Sequence, residues 1–381
     1  MGLFQYIFVL ILAAFVSMGS GQVNGPVPTE QSSLHAKARK PEPVHQYRGV
    51  DASFVPWYEQ AGVSYFDEAG EKKDPIQLLA DQGANLLRIR VFVDPGDGHN
   101  GLADALELAR RGRDAGMDLL VDFHFSGSWA DPAMQEKPQA WEGLDDEALA
   151  KRVRMYTRDV IGAMYAQGTR PEIVQIGNEI IDGMLWPTGQ ISVNGFAGLA
   201  TMLNAAIAGV EDAAGINERP QVMIHIDRGA DLGAGVWFYD GMLAAGVEFD
   251  MIGLSYYPWW HGSFDSMRLT VRGLAGRYDK PVMLCEVAYP WTLGWDDKTN
   301  NFVGVLGQLL PGFDATPQGQ RAYLNALSAE LRAVPGGRGV GWCYWGAAFV
   351  ADPSTPGSVW ENVCLFDFEH KLHEGAASLG D

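Results

Sequence analysis

Two glutamates stand at the ends of apolar segments that are typical of buried strands. Glu179 ends the segment Ile173-Val-Gln-Ile-Gly-Asn-Glu179, and Glu286 ends Pro281-Val-Met-Leu-Cys-Glu286. A buried carboxylate without a partner is costly, so two such residues at strand ends indicate a use for the pair. Hydrolysis of a glycosidic bond is one such use, because one acid protonates the leaving oxygen while the other attacks the anomeric carbon. The alternative is two structural acids, each held by an arginine or by backbone amides.

Eight apolar segments predict the strands that would position these glutamates. They are Tyr47–Ala52, Asn85–Val91, Met117–His124, Glu172–Glu179, Gln221–Ile226, Phe249–Tyr256, Pro281–Val287 and Gly339–Trp345. The amphipathic segments between them, which predict helices, include Gly101–Ala115, Asp145–Ala166, Gly195–Ala214 and Gln318–Ala333. This alternation predicts an α/β fold, a closed (β/α)8 TIM barrel with a single catalytic domain. A doubly wound open sheet is the alternative, but the glycine-rich phosphate turn that it needs does not follow Asp51.

In a barrel the carboxyl ends of the strands meet on one face, so the residues at those ends predict the contents of a site. The candidates for sugar binding are Asp51, Arg88, His124, Asn178, His225, Tyr256, Tyr257 and Trp345. A nucleophilic carboxylate must stay ionised, which a nearby arginine favours, whereas its acid partner needs a less polar surrounding or a like charge. The order along the chain does not say which glutamate has which role.

Composition and charge narrow the class of partner. The formal net charge of −19 argues against nucleic acid and anionic membrane surfaces, and it favours a neutral polysaccharide over a polyanionic one. The 12 Trp, 13 Tyr and 17 Phe offer apolar faces on which sugar rings can stack. We expect a monomer.

The N-terminus predicts export. The apolar run from Phe4 to Val16 is too short to span a bilayer and is followed by small residues, so residues 1–21 are predicted to be a signal peptide. An uncleaved anchor is the alternative. Residues 22–46 are predicted to be a flexible leader and residues 47–381 the catalytic domain. The protein is therefore expected to be secreted or periplasmic, and free of the membrane after signal cleavage.

The three cysteines, Cys285, Cys343 and Cys364, do not form a disulfide framework, because their number is odd and small. Cys285 and Cys343 lie in predicted strands and are expected to be buried. A bridge that uses Cys364 stays open.

Six motifs make the chain resemble glycoside hydrolase family 53, the arabinogalactan endo-β-1,4-galactanases, from about Tyr47 to about Asp367. They are Gly49-Val-Asp-Ala-Ser53, Asn85-Leu-Leu-Arg-Ile-Arg90, Asp122-Phe-His-Phe-Ser-Gly-Ser-Trp-Ala-Asp-Pro132, Gln175-Ile-Gly-Asn-Glu179, Gly253-Leu-Ser-Tyr-Tyr-Pro258 and Glu286-Val-Ala-Tyr-Pro-Trp291. The Asn-Glu pair is common to a whole clan of retaining barrel hydrolases, whereas the third motif together with Ser-Tyr-Tyr-Pro is more specific. Trp129, in the third motif, joins the substrate-binding candidates.

The resemblance implies that Glu179 is the general acid/base and Glu286 the nucleophile of a double displacement with retention. It also implies that Arg88 supports the nucleophile and that Asn178 and His124 contact the sugar. A tyrosine of the sixth strand would bind the nucleophile, either Tyr256 or Tyr257. The implied substrate is β-1,4-galactan, found in type I arabinogalactan side chains of pectin.

The chain departs from the family at the rim of the site, and one loop suggests a metal. The third motif has Phe125 and Gly127 where the family usually has Tyr and Asp, and Phe92 stands where Trp is usual. Some members bind calcium in the long loops after the seventh and eighth strands, and Asp296, Asp297 and Asn300 offer oxygen ligands for a structural ion. A solvated acidic loop is the alternative, and the reaction itself requires no cofactor.

Two other functions stay open. One is a retaining β-glycanase of the same clan that acts on mannan, xylan or glucan. The other is a sugar-binding barrel without catalysis, but that hypothesis predicts the loss of one glutamate, and both are present.

Overall fold

A computed structural model describes residues 46–215 and 218–381. The predicted signal peptide and nearly all of the predicted leader lie outside the described residues. Eight parallel strands form a closed barrel, in which each strand pairs with the next and the last pairs with the first. The strands are β1 (Tyr47–Asp51), β2 (Leu86–Val91), β3 (Asp118–Phe123), β4 (Ile173–Ile176), β5 (Gln221–Ile226), β6 (Met251–Tyr256), β7 (Val282–Val287) and β8 (Gly339–Tyr344). The predicted (β/α)8 barrel is confirmed.

Nine α-helices occur in the described part of the chain. They are α1 (Val55–Gln60), α2 (Pro75–Asp81), α3 (Leu102–Asp114), α4 (Asp146–Gln167), α5 (Ile191–Ala214, interrupted at Gly195), α6 (Leu232–Ala244), α7 (Pro258–His261), α8 (Phe264–Tyr278) and α9 (Pro317–Arg332). Several begin at a capping side chain that accepts a backbone N–H, such as Asp145 at α4, Ser263 at α8 and Thr316 at α9. These caps fix where each helix starts on the outside of the barrel.

The connections contain short elements. Two antiparallel ribbons pair Tyr65–Phe66 with Lys72–Lys73 and Gly183–Met184 with Gly189–Gln190. Short 3₁₀ helices lie at Gln139–Trp141, Leu306–Gln308, Pro335–Gly337, Glu361–Val363 and Glu374–Leu379.

Helix α5 is long and apolar enough, by length and composition, to cross a membrane. In the barrel it is an outer helix that packs against α4, with Leu199, Leu203 and Val210 buried. Its apolar character is therefore accounted for by packing within the described fold.

The inside of the barrel is divided into two layers. The first, which we call the apolar layer, consists of Leu86, Leu120, Ile173, Met223, Met251, Met283 and Cys285. The second, which we call the polar layer, lies closer to the carboxyl ends of the strands and consists of Arg88, Asp122, Gln175, His225, Ser255 and Glu286. In β2 to β5 the two layers are two residues apart, because successive inward positions on a strand alternate.

Strand β7 breaks this alternation. Gly253 of β6 is paired with Met283, whereas Ser255 is paired with Glu286, so three steps along β7 match two along β6. Such a bulge changes the direction of the side chains that follow it. As a result, Cys285 packs in the apolar layer while its neighbour Glu286 also points into the barrel, toward Arg88.

All three cysteines are free and buried. The bridge left open for Cys364 is not formed, and its thiol donates to the carbonyl oxygen of Ala347 at 3.2 Å.

Candidate active site

Glu179 lies beyond the end of β4 on an unusual stretch of backbone. Gly177 has φ 80° and Glu179 itself has φ 53°, the left-handed region that side chains other than glycine seldom adopt. The half-buried carboxylate of Glu179 accepts a hydrogen bond from the hydroxyl of Ser255 at 2.6 Å, on Oε1. Strained backbone that the surrounding fold enforces is concentrated at functional sites.

Glu286 is held from two sides. Its Oε1 lies 2.9 Å from Nη2 of Arg88, and its Oε2 accepts the hydroxyl hydrogen of Tyr257 at 2.9 Å. The side chain is 5% exposed. Both contacts favour the ionised carboxylate.

The two glutamates differ in their electrostatic surroundings. Burial raises the pKa of Glu179 well above its ordinary value, and the carboxylates of Glu286 and Asp227 raise it further. Burial also raises the pKa of Glu286, but Arg88 and the Tyr257 hydroxyl oppose that rise. The first of the two to ionise is therefore Glu286, and Glu179 keeps its proton to higher pH.

Arg88 organises the floor of the site. Its guanidinium contacts Asp51 Oδ2 at 3.1 Å, Asp122 Oδ2 at 2.9 Å and Asn178 Oδ1 at 2.9 Å, in addition to Glu286. The other oxygen of Asp51 accepts the backbone N–H of Ser53 at 3.0 Å. Asp51 was expected to bind sugar, but with both oxygens bonded inside the protein and 4% exposure it lies among the residues that hold Arg88.

His124 also lies in a supporting position. Its Nε2 lies 3.0 Å from Asp122 Oδ2, and its Nδ1 accepts the backbone N–H of Ala130 at 3.0 Å. Because Nδ1 is an acceptor, Nε2 carries the hydrogen and donates it to Asp122. Both ring nitrogens are used inside the protein, so the expected polar contact of His124 with the sugar has no free donor or acceptor here.

The choice between the two tyrosines of the sixth strand is resolved by their directions. Tyr257 donates to Glu286, whereas the Tyr256 hydroxyl donates to the carbonyl oxygen of Gly262 at 2.8 Å. Neighbouring residues on a strand face opposite sides. Tyr256, which was among the substrate-binding candidates, is therefore a packing residue outside the barrel.

Asn178 and His225 are neighbours beside Glu179, with Asn178 Oδ1 3.0 Å from His225 Nδ1. The Asn178 side chain donates to the carbonyl oxygen of Ala130 at 2.9 Å, which leaves its second amide hydrogen available. His225 is fully buried, with Nδ1 3.0 Å from Gln175 Nε2 and Nε2 2.8 Å from Ser255 Oγ. His225 thus acts on the site through Ser255 and not through direct contact with a ligand.

Three tryptophans, Trp129, Trp345 and Trp360, line one side of the site and are called the aromatic wall below. The Trp345 ring centroid lies 5.7 Å from that of Trp129 and 6.2 Å from that of Trp360. Arg88 lies 5.8 Å from the Trp345 ring centroid, and Tyr257 packs on Trp360 with centroids 5.5 Å apart. The wall is therefore next to both partners of Glu286, and it suits the apolar face of a sugar ring.

Sequence reasoning quoted the motifs that contain Gln175, Ser255 and Asp122 but gave these residues no role, and it did not consider Trp360. Counting every second residue from the inward apolar positions of β3 and β4 would have found Asp122 and Gln175.

Two of the candidate calcium ligands, Asp296 and Asp297, have hydrogen bonds to the loop after β8. Asp297 accepts the backbone N–H groups of Thr299 and Ser358 through its two oxygens, and the backbone N–H of Asp296 donates to Glu361 at 2.9 Å. Across residues 46–215 and 218–381, no group of three or more His, Cys, Asp or Glu side chains is placed to share a metal ion. The possible calcium site at Asp296, Asp297 and Asn300 stays a prediction.

The arrangement can support acid–base and nucleophilic chemistry at one centre. It contains one carboxyl group that ionises first beside Arg88, a second that keeps its proton to higher pH, and an aromatic wall beside them. This combination is what cleavage of a glycosidic bond needs.

The sequence matches the family model described as Glycosyl hydrolase family 53 over residues 47–377. It is 42% identical to the "Uncharacterized protein in bgaB 5'region" of Niallia circulans, covering 87% of this chain and 92% of that protein. It is 36% identical to the arabinogalactan endo-β-1,4-galactanase of Cellvibrio japonicus, covering 85% and 87%. The solved Ignisphaera aggregans GH53 catalytic domain superimposes with a TM-score of 0.83 at 35% identity, covering 89% and 96%.

Proposed function

Because the chain belongs to glycosyl hydrolase family 53, we propose that it is a retaining endo-β-1,4-galactanase. The proposed substrate is the neutral β-1,4-galactan of type I arabinogalactan, a side chain of pectin. The observation that carries the proposal is the unlike pair of glutamates, with Glu286 held by Arg88 and Tyr257 and Glu179 surrounded by other carboxylates. The relative from Cellvibrio japonicus, which bears the name of this activity, supports the choice of substrate.

The first step forms a covalent intermediate. The ionised carboxylate of Glu286 attacks the anomeric carbon, the bond from that carbon to the glycosidic oxygen breaks, and the leaving oxygen takes the proton of Glu179. Arg88 and Tyr257 keep Glu286 ionised and aimed, and they release it as its negative charge passes into the new ester bond.

The second step returns the enzyme to its starting state. Glu179, now ionised, takes a proton from a water molecule while the water oxygen attacks the anomeric carbon and displaces Glu286. Two inversions at the same carbon give net retention. During both steps the aromatic wall would support the sugar from its apolar side, and the spare amide hydrogen of Asn178 could bind a hydroxyl near the cleaved bond.

A product profile tests the substrate. The purified protein is incubated with linear β-1,4-galactan and, in parallel, with mannan, xylan and a cellulosic glucan, and the oligosaccharides are separated over time. We expect short galacto-oligomers from galactan alone, with intermediate sizes early in the reaction as internal cleavage requires. Cleavage of another glycan instead would show that the protein is one of the competing β-glycanases of the same clan. Binding without cleavage would favour the non-catalytic barrel.

The stereochemical outcome tests the mechanism. Proton NMR of the first minutes of hydrolysis, before the sugar mutarotates, should show the new reducing end as the β-anomer. The α-anomer would contradict the double displacement while leaving the substrate assignment intact.

We further propose that catalysis requires no metal. The two-step displacement uses carboxyl groups alone, as acid, base and nucleophile. Activity and the unfolding temperature should both be unchanged after treatment with EDTA. A fall in the unfolding temperature alone would indicate a structural ion in the loop of Asp296, Asp297 and Asn300.

Export and a monomeric state are also proposed. A polymer in plant material must be met outside the cell, which agrees with the predicted signal peptide. N-terminal sequencing of the exported protein should begin near residue 22, and light scattering should give the mass of one chain.

A further inference from the structure

An unbroken chain of buried hydrogen bonds runs from Arg88 to Glu179. Arg88 Nε lies 3.2 Å from Gln175 Oε1, and Gln175 Nε2 lies 3.0 Å from His225 Nδ1. His225 Nε2 lies 2.8 Å from Ser255 Oγ, which in turn lies 2.6 Å from Glu179 Oε1. Since Arg88 also holds Glu286, the chain joins the two carboxyl groups of the proposed reaction. We call Gln175, His225 and Ser255 the connecting chain.

The direction of each hydrogen bond in the connecting chain follows from Arg88, the residue at which the series begins. Arginine has donors and no acceptor, so Gln175 must present its oxygen to Arg88 and its NH₂ group to His225. The backbone N–H of Glu179 points at the same ring nitrogen, Nδ1, at 3.4 Å. With two donors facing it, Nδ1 is the acceptor and the ring hydrogen is on Nε2. Nε2 therefore donates its hydrogen to Ser255 Oγ. The Ser255 hydroxyl in turn donates its own hydrogen to Glu179 Oε1.

One contact favours the opposite tautomer. Asn178 Oδ1 lies 3.0 Å from His225 Nδ1 and could accept a hydrogen from it. However, Asn178 Oδ1 already accepts from Arg88 at 2.9 Å, so it has a partner without that hydrogen. The Gln175 NH₂ group also lies 3.1 Å from the carbonyl oxygen of Gly177 and 3.2 Å from Asn178 Oδ1, so it has other acceptors. The backbone N–H of Glu179 is the donor that the Nδ1–H tautomer would leave facing another N–H.

The connecting chain is shielded from water. Gln175, His225 and Ser255 are each 0% exposed. Burial lowers the pKa of His225 well below its ordinary value, and Arg88 lowers it further, so the ring stays neutral. A neutral ring with one fixed hydrogen has a single direction of donation.

We propose that Gln175, His225 and Ser255 are positioning residues that fix Ser255 as a donor to Glu179 Oε1, which leaves Oε2 as the oxygen that gives and takes the catalytic proton. This inference rests on the proposed role of Glu179 as the acid/base. A proton on Oε1 would point at Ser255 and away from the substrate. The connecting chain thus selects the productive oxygen of a carboxyl group whose two oxygens are chemically alike.

The sign of the expected pH effect follows from the groups around Glu179. The charged or titratable groups that act on it come from several elements and are Glu286 of β7, Asp227 after β5, Asp131 after β3 and Tyr257 after β6. The three carboxylates raise its pKa, whereas the Ser255 hydrogen bond lowers it. The charged or titratable groups that face His225 are Arg88, Asp122 and His124.

The substitution Ser255→Ala removes the last donor of the connecting chain. Because a hydrogen bond to the ionised carboxylate is lost, we expect the alkaline limb of the kcat/KM profile to move to higher pH by about one to two units. We expect kcat/KM at the optimum to fall about tenfold. Ser255→Thr, which keeps the hydroxyl, should restore the position of the limb.

A matched control separates this effect from a general loss of packing. Ser328 of α9 is also buried and binds the Trp342 indole N–H at 2.8 Å outside the barrel. Ser328→Ala should lower the unfolding temperature without moving either limb of the profile. If Ser255→Ala lowers activity but leaves the alkaline limb in place, Ser255 is merely structural and the proposal fails.

Nitrogen-15 NMR of histidine tests the direction of the connecting chain without any turnover. We expect the His225 ring, assigned by its absence in a His225→Phe variant, to be the neutral Nε2–H tautomer from pH 5 to pH 8. The Nδ1–H tautomer would overturn the proposal, because Ser255 would then donate to His225. A wild-type protein that cleaves no galactan would refute the proposed function, and this spectrum would still report on the connecting chain.

Discussion

The apolar layer and the polar layer of the barrel are built from the same strands but use burial in opposite ways. The apolar layer fills the barrel with aliphatic, Met and Cys side chains such as Leu86, Ile173 and Met251. The polar layer, one inward step further along β2 to β5, buries a guanidinium, a carboxylate, an amide and an imidazole. One layer gains stability from the removal of apolar surface from water, whereas the other bears a desolvation cost.

The polar layer is the part of the fold that loses stability in order to hold the groups of the proposed reaction. Buried ionic groups rarely contribute more than apolar residues of the same size would. Every member of the polar layer instead contacts Glu179, Glu286 or a group that holds one of them. The two layers therefore predict separable phenotypes: substitutions in the polar layer should affect the reaction, and those in the apolar layer should affect stability.

The largest effect is expected at the reacting carboxylate of the polar layer. Glu286→Ala should reduce kcat on galactan by roughly 10⁴-fold or more, because no covalent intermediate can form. With an activated aryl galactoside, azide should restore turnover and give the α-galactosyl azide, since it attacks in the space left by the carboxylate. NMR of that product identifies the nucleophile. Wild-type activity in Glu286→Ala would contradict the assignment.

Arg88→Met tests the ionic centre of the polar layer. The change leaves the carboxylates of Asp51, Asp122 and Glu286 without their shared cation, and breaking a buried ion pair costs about 3–5 kcal/mol. We expect a large fall in the urea midpoint together with nearly complete loss of activity. Arg111→Met, at a surface cluster with Glu59 and Asp74, is the control and should leave kcat unchanged. An active Arg88→Met enzyme would show that Glu286 does not depend on this cation.

The sequence predicted the barrel because its strands are long apolar runs separated by amphipathic segments. The observed β3, Asp118–Phe123, lies within the predicted Met117–His124, and β7 lies within Pro281–Val287. The bulge in β7 could not be predicted, because it depends on how β7 pairs with β6 and β8. Strict alternation from Cys285 would have directed Glu286 out of the barrel.

The candidate site was predicted in position but not in its hydrogen bonding. Strand ends predicted that His124 lies in this region, but they did not predict its hydrogen-bond partners, which are Asp122 within β3 and Ala130 in the segment after it. Similarly, the alternation of side chains along a strand predicts that Tyr256 and Tyr257 face opposite sides, but it does not predict which of them faces into the barrel. Such choices are determined by tertiary contacts and not by the residue types themselves.

The apolar layer is tested by removing volume. Met251→Ala should lower the free energy of unfolding by about 2–5 kcal/mol, because it opens a cavity in a fully packed interior. At a temperature where the variant is folded, kcat/KM and both limbs of its pH profile should match the wild type. Chemical denaturation and the pH profile are measured on the same preparation. A shifted limb would mean that the two layers are coupled and that the division between them is incorrect.

The smallest effect that still separates two regions is expected from the neighbouring tyrosines. Tyr257→Phe removes a hydrogen bond to a carboxylate, about 1.5–3 kcal/mol, and should lower kcat/KM about 10- to 100-fold. Because that hydrogen bond lowers the pKa of Glu286, its loss should move the acidic limb of the profile to higher pH. Tyr256→Phe removes a hydrogen bond to the Gly262 carbonyl outside the barrel, so it should cost about 0.5–1.5 kcal/mol of stability with both limbs unchanged. If the two variants had the same pH profile, the hydroxyl of Tyr257 would have no special action on Glu286, and the nucleophile would owe its ionisation to Arg88 alone.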